Sequence, residues 1–189
     1  MRPQSLRARE SVLTATCALL EEGGLPAATV DAISARSGVS KATIYKHWPS
    51  RTAVAAEAFG IKMATAVPLP DTGAAVGDLT EQVRLVSAFY ASHAGSTFAQ
   101  LLAACVTDPA GAPYFREFFL NGRRNAIGVL WRRALERGEV DDRVDVETAI
   151  DLLFGPLVFR LLSGHAPLDE TEAEAIAAAA LTGLLRGRG

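Results

Sequence analysis

Cysteine is scarce in this 189-residue chain. Its two cysteines, Cys17 and Cys105, stand far apart with no partner cysteine beside either. That excludes a disulfide scaffold and paired-cysteine metal spacing, and fits two free thiols in a reducing compartment. The chain also lacks an H-E-x-x-H helix and a glycine loop able to cradle phosphate, so neither metal nor cofactor is expected. His93 and Cys105 are the one pair with nucleophile chemistry, and both read as packing; an enzyme is only a distant alternative. Long apolar runs are missing too. The longest, AIAAAALTGLL, is too short to span a bilayer. MRPQSLRARE has no apolar core and does not read as a signal peptide, so a cytoplasmic protein is expected. Sustained period-2 alternation and internal repeats are absent, which argues against sheets and solenoids. Strong net charge is lacking as well, at only −2.

Hydrophobic residues make up 49% and charged residues 21%, a globular composition. The small net charge hides an asymmetry. Residues 1–51 hold seven Arg and Lys against four Asp and Glu, a balance of +3, and residues 52–189 hold twelve against seventeen, a balance of −5. A basic head on an acidic body suits a protein that offers one end to phosphate.

The head contains TVDAISARSGVSKATIYKHWPSR, residues 29–51. Thr29 is placed to cap one short helix, with Asp31 at its positive end, and Gly38 to turn it. Ala32, Ile33 and Val39 are spaced for a small shared core. Ser40 caps a second helix, Lys41 to His47, carrying two lysines, a threonine, a tyrosine and a histidine. This is a helix-turn-helix whose polar, basic second helix suits a DNA major groove.

Around it the periodicity predicts helices throughout. The first runs from Ser5 to Glu22 and ends at Gly23-Gly24. Arg2, Arg7 and Arg9 there read either as contacts to DNA backbone or as a solvated basic end. Pro49-Ser50 breaks the recognition helix and opens another, from about Arg51 to Ala66, leaning on Val54, Ala58, Ile61 and Met63. VPLPDTGAAVG, residues 67–77, is the linker. Beyond it come Leu79 to His93, Thr97 to Val106, Pro113 to about Arg137, Asp145 to Ser163 with Gly155-Pro156 inside, and a last helix to about Leu185. Asp169 with Glu172 opens the last as a capping box. The expected organisation is a DNA-binding head at 1–50, a connecting helix at 51–66, the linker, and a ligand-binding and dimerisation body at 78–189. The fold class is all-α, with about nine helices.

With an N-terminal helix before it and a helical body of this length behind it, the motif TV-x-AI-x-x-x-SGVS-x-x-T-I-Y-x-H-W-x-S-R resembles the TetR (tetracycline-repressor) family of transcription regulators. The resemblance is carried by residues 9–51. Three positions depart from the family's habit: Ser34 for alanine, Trp48 for phenylalanine and Arg51 for lysine. Each keeps the chemistry required, a wedge at Trp48 and a cation at Arg51.

The resemblance and the side-chain chemistry together assign phosphate contacts to Thr29, Ser40, Tyr45, His47 and Arg51, which fix register. Base reading falls to Lys41, Ala42, Thr43 and Lys46, lysine donating to guanine and the methyl groups meeting thymine. The resemblance implies a dimer on a near-palindromic operator. Leu153, Leu157, Val158, Leu161, Ala177 and Leu181 of the last two helices are the expected interface. A pocket for an apolar or aromatic effector is expected from Phe89, His93, Leu101, Cys105, Phe118, Asn121 and Gly122, with polar groups such as Gln100 and Asn125 interleaved on the same helices. Effector binding would shift the connecting helix and release DNA, which makes the chain a repressor. A ligand-independent or activating regulator is the alternative.

Overall fold

The computed structural model describes Pro3–Leu184, and among these residues it holds nine helices and no strand, as the all-α expectation requires. They are α1 (Pro3–Ala27), α2 (Val30–Ser37), α3 (Lys41–His47), α4 (Arg51–Ala66) and α5 (Ala75–Ala91). Then follow α6 (His93–Thr107), α7 (residues 112–136), α8 (Val146–Ser163) and α9 (Glu170–Leu184). Arg2, and Leu185 as the end of the last helix, lie outside the described residues. The chain forms two compact units: one runs to Thr65 and includes Ser96–Gly122, the other is Ala66–Gly95 with the chain from Arg123 onward.

In the first unit, α1 buries Val12, Leu13, Ala15, Leu19 and Leu20 on one stripe. Its helical path breaks at Gly24, which takes φ +65°, and one more turn follows through Pro26. The break frees the Leu25 amide, which donates to Gln100 Oε1 on α6 at 2.8 Å. Gln100 is therefore a cap for that turn rather than an interleaved pocket group. α4 differs from the single apolar stripe expected of it. Every residue from Thr52 to Gly60 is buried, whereas Ile61 is 51% exposed. A helix apolar all round belongs at the centre of its unit.

What surrounds α4 is an aromatic cluster. Phe59 meets Phe98 at 6.2 Å and Phe119 at 5.5 Å between ring centroids, and Phe98 lies 5.0 Å from Phe119. These contacts explain why 96–122 groups with the head instead of with the rest of the expected body. Inside α7, Phe115–Asn121 is a π-helical stretch, whose wider turns change the phase of the side chains that follow. Its backbone presses on α4: a Cβ on Gly60 would sit 2.2 Å from the Phe118 carbonyl oxygen. Only glycine fits there without displacement.

In the second unit, α5 begins at Ala75, earlier than expected, because the end of the glycine-alanine stretch is held in a helical turn. Glu139 accepts from the Ala75 amide at 2.7 Å, and the buried Asp78 accepts from the Thr72 hydroxyl at 2.8 Å. Arginines of α7 tie down the linker: Arg123 donates to Val67 O and Arg133 to Pro70 O, at 3.2 and 3.1 Å. Gln82, fully buried, donates to Pro68 O and accepts from Arg123. α9 packs along both α5 and α8, enclosing Leu79, Val83, Leu153, Leu157, Ala177 and Leu181. Burying a leucine stabilises by about 1.5–3 kcal/mol, so this layer is the unit's core. Asp145 caps α8 by accepting from the Glu147 and Thr148 amides. Asp169 caps the Glu172 amide, but the Glu172 carboxylate turns to Arg160 at 2.6 Å, so only half of the expected capping box forms.

Candidate nucleic-acid interface

The first and second helices of the motif are set by their caps. Thr29 Oγ1 accepts from the Ala32 amide at 3.1 Å, and Ser40 Oγ from the Thr43 amide at 3.3 Å. Each such cap is worth about 1 kcal/mol. Gly38 ends α2 at φ +70°. Ser34, one of the departures from the family habit, gains a role here: its hydroxyl donates to Val39 O at 2.8 Å and braces the turn. Ile33 and Ile44 are fully buried between the helices, while Ala32 and Val39 are half-buried at the edge of that small core.

α3 buries only Ile44. Lys41, Ala42, Tyr45 and Lys46 are exposed, and Thr43 and His47 are half-exposed. The four residues expected to read bases thus share a surface with Tyr45 and His47. Lys41 is not a bare cation, because its ammonium pairs with Asp31 of α2. That hydrogen bond and charge hold its pKa above the ordinary lysine value. Thr43 Oγ1 lies 3.0 Å from Ser40 Oγ, so the two hydroxyls share a hydrogen bond.

The corner between α3 and α4 is built from more distant chain. Ser50 Oγ accepts from the Ala53 amide at 3.2 Å and starts α4 beside the exposed Arg51. Tyr114 of α7 donates its hydroxyl to His47 O at 3.2 Å. Asp108, in the turn after α6, accepts from the Ala110 and Gly111 amides at 3.0 Å each. Burial works against charge on Asp108, but hydrogen bonds from Ser50, Thr52, Gly111 and Ala110 outweigh it and hold the carboxyl below its usual range. The turn after α6 is thereby fastened to the start of α4.

A second support was not visible in the spacing. Glu57 of α4, almost completely buried, accepts from Trp48 Nε1 at 2.7 Å and pairs with Arg9 of α1. Arg9 therefore serves the head's interior as well as its rim, while Arg7 is exposed. The signal for Glu57 was a lone acid inside the apolar stretch TAVAAEAFG. Tyr114 and Asp108 gave no comparable signal, since His47, the partner of Tyr114, and Ser50 and Thr52, bonded to Asp108, lie more than fifty residues away.

The expected pocket residues are divided between the two units. Phe89 and His93 belong to the second unit, and Leu101, Cys105, Phe118, Asn121 and Gly122 to the first. Leu101 is buried in the core, whereas His93, Asn121 and Gly122 face solvent, as does Asn125. The π-helical turns rotate Asn121 and Gly122 away from the phase of a straight helix. The expected dimer residues differ in how open they stand within the single chain. Leu153, Leu157, Ala177 and Leu181 are buried within the single chain, with Val158 and Leu161 half-buried. The exposed apolar side chains of α8 are Leu152, Phe159 and Leu162, at 50%, 64% and 52%.

Among the described residues no cluster of His, Cys, Asp or Glu could hold a metal, and no helix is long and apolar enough to cross a membrane. Comparison with known proteins gives the family. Residues 12–58 match the family of bacterial regulatory proteins described as the tetR family, and residues 69–180 match the tetracyclin repressor-like C-terminal domain. The chain is 35% identical over 161 residues to the uncharacterized HTH-type transcriptional regulator YdeS of Bacillus subtilis, covering 85% of this chain and 81% of that protein. An uncharacterized HTH-type regulator of Mycobacterium bovis, Mb1581, is 34% identical over 92% of this chain and 85% of its own. The crystal structure of the TetR family transcription regulator SCO0332 superposes with a TM-score of 0.85 at 32% identity, covering 93% of this chain and 97% of that one. These relatives are named as regulators of transcription, not as enzymes. The chain belongs to the TetR family of DNA-binding transcriptional regulators.

Proposed function

We propose that the chain is a homodimeric repressor that reads a near-palindromic operator through α3 and is released by an apolar or aromatic small molecule. The observation that carries the reading is the exposed row Lys41, Ala42, Tyr45 and Lys46 on a helix whose buried side is a single isoleucine. Lys41, Ala42, Thr43 and Lys46 meet base edges, and Thr29, Ser40, Tyr45, His47 and Arg51 meet phosphates. Ser40 and Thr29 supply hydroxyls already fixed at helix N-termini, where an anion is favoured.

The dimer surface in this reading is the outer face of α8 around Leu152, Phe159 and Leu162, continued by the exposed small residues Ala175, Ala178 and Ala179 of α9. Three large apolar side chains left open along one helix favour a partner helix of equal character. An apolar effector is supported by the way interior polar groups are used. Gln82, Gln100 and Asp78 are all bonded to the protein itself. The flavonoid-responsive regulator FrrA shares the fold, with a TM-score of 0.64 at 24% identity.

Selection of duplexes from a random library by the purified chain tests the whole reading. A near-palindrome with two half-sites about one helical turn apart is expected. Light scattering should give twice the chain mass, and Phe159→Asp should give the chain mass. Enrichment of no sequence, or a wild-type monomer at micromolar concentration, would sink the dimeric repressor. Operator binding that no apolar compound relieves would leave a ligand-independent regulator.

A further inference from the structure

α3 is seven residues long, two turns, and cannot hold a fixed direction by its own backbone bonds. Its orientation depends on what grips its ends. At its start Ser40 and Asp31 hold local groups. At its end stands Trp48, which closes the helix with its amide on Ile44 O and buries its ring almost completely. The indole makes one directional bond, to Glu57 Oε2 at 2.7 Å. Glu57 Oε1 pairs with Arg9, whose guanidinium carbon also lies 5.8 Å from the centre of the Trp48 ring. Three helices, α1, α3 and α4, thus meet at one carboxylate.

An ion pair on a buried carboxylate, with Arg9 itself half-buried, is a poor device for stability, because desolvation of the carboxylate consumes much of the attraction. It is a good device for direction. A phenylalanine at position 48 would fill most of the same space but has no N–H donor, so the directional bond to Glu57 would be lost. We propose that Glu57 is a positioning residue for DNA reading: through the Trp48 indole and Arg9 it fixes the angle at which α3 presents Lys41, Thr43 and Lys46. The inference rests on the reading of α3 as the recognition helix. It predicts that loss of Glu57 harms discrimination between sequences more than it harms attraction to phosphate, because misaligned lysines still meet backbone anywhere along a duplex.

The test uses the full chain and the duplex that the wild type enriches from a random library. Affinities for that duplex and for a scrambled one of equal length are measured at one salt concentration, with thermal midpoints alongside. Glu57→Ala should lower the ratio of the two affinities about tenfold or more, a change of about 1.4 kcal/mol. Glu57→Gln, which still offers the indole an acceptor, should lower it less and keep a hydrogen-bonded Trp48 indole N–H resonance. Trp48→Phe combined with Glu57→Leu removes donor and acceptor together. It should bring the thermal midpoint back toward wild type while the ratio stays low. A ratio that recovers along with the midpoint, or a Glu57→Ala chain that discriminates like wild type, overturns the proposal. A wild-type chain that enriches no duplex overturns instead the reading on which it rests.

Discussion

The hydroxyl of Tyr114 donates to the backbone carbonyl of His47 across 67 residues of chain, at 3.2 Å. That carbonyl belongs to the last residue of α3, so a helix-terminal acceptor is satisfied by a side chain of α7 rather than by water. A distant part of the chain therefore holds the end of α3.

Removing that bond should be felt in both stability and DNA binding. Tyr114→Phe keeps the ring and its tilted contact with Phe118 while deleting the donor. A loss of about 0.5–1.5 kcal/mol in unfolding free energy is expected, the net worth of one such bond. Denaturant unfolding measures it. An unchanged midpoint would show that water replaces the phenol at no cost.

Lys41 and Arg51 should separate by the kind of loss they cause. Lys41→Ala should change which duplexes are preferred, at about 1–3 kcal/mol for a base it reads. Arg51→Ala should weaken all duplexes alike and reduce the slope of log affinity against log salt by about one. A salt titration of both variants on selected and scrambled duplexes decides between these assignments.

Acid should loosen the second unit through Asp78. Burial opposes charge on this carboxyl, but hydrogen bonds from Thr72 and Arg137 outweigh it and hold its pKa below the usual carboxylate value. A depressed folded pKa contributes stability that is present above the unfolded value, about 3.9, and is lost as pH falls through the folded one. Unfolding free energy should therefore be insensitive to Asp78 near neutrality and decline in the acid range below about pH 4–5. Asp78→Asn should remove that part of the decline, while being less stable than wild type at neutral pH.

Gly60 is predicted to be intolerant of even one methyl group. In Gly60→Ala the new Cβ meets backbone, the Phe118 carbonyl at 2.2 Å, which cannot swing aside like a side chain. A cost of about 1–3 kcal/mol is expected for such overpacking. Wild-type stability in chemical denaturation would show that the π-helical stretch yields easily.

The sequence was most legible where local chemistry decides. Ser40, Pro49 and Ser50 bracket α3 and α4, and both helices have the expected limits because caps and breakers act within one turn. Where long-range packing decides, periodicity was not enough. α8 is apolar on more than one side, and pattern alone could not say that Leu153 and Leu157 turn inward while Leu152 and Phe159 turn outward. The π-helical stretch lies against Gly60 of α4, and its wider turns mean that the phase of Asn121 and Gly122 could not be read from a straight-helix template. Glu57 stood out only as a misplaced acid, and its partners Trp48 and Arg9 lie on other helices.

On the proposed reading, the ion pair between Lys41 and Asp31 makes recognition an exchange of partners rather than a capture. This lysine leaves a carboxylate each time it takes a base edge, so every engagement starts from the small deficit of an exposed ion pair, which a well-placed guanine makes good. Wrong sequences are then refused by a home contact within the head, which lets the protein leave non-operator DNA quickly during its search. Asp31→Asn would abolish that home contact. It should lengthen residence on scrambled duplex more than on the selected one, a comparison that stopped-flow dissociation makes directly.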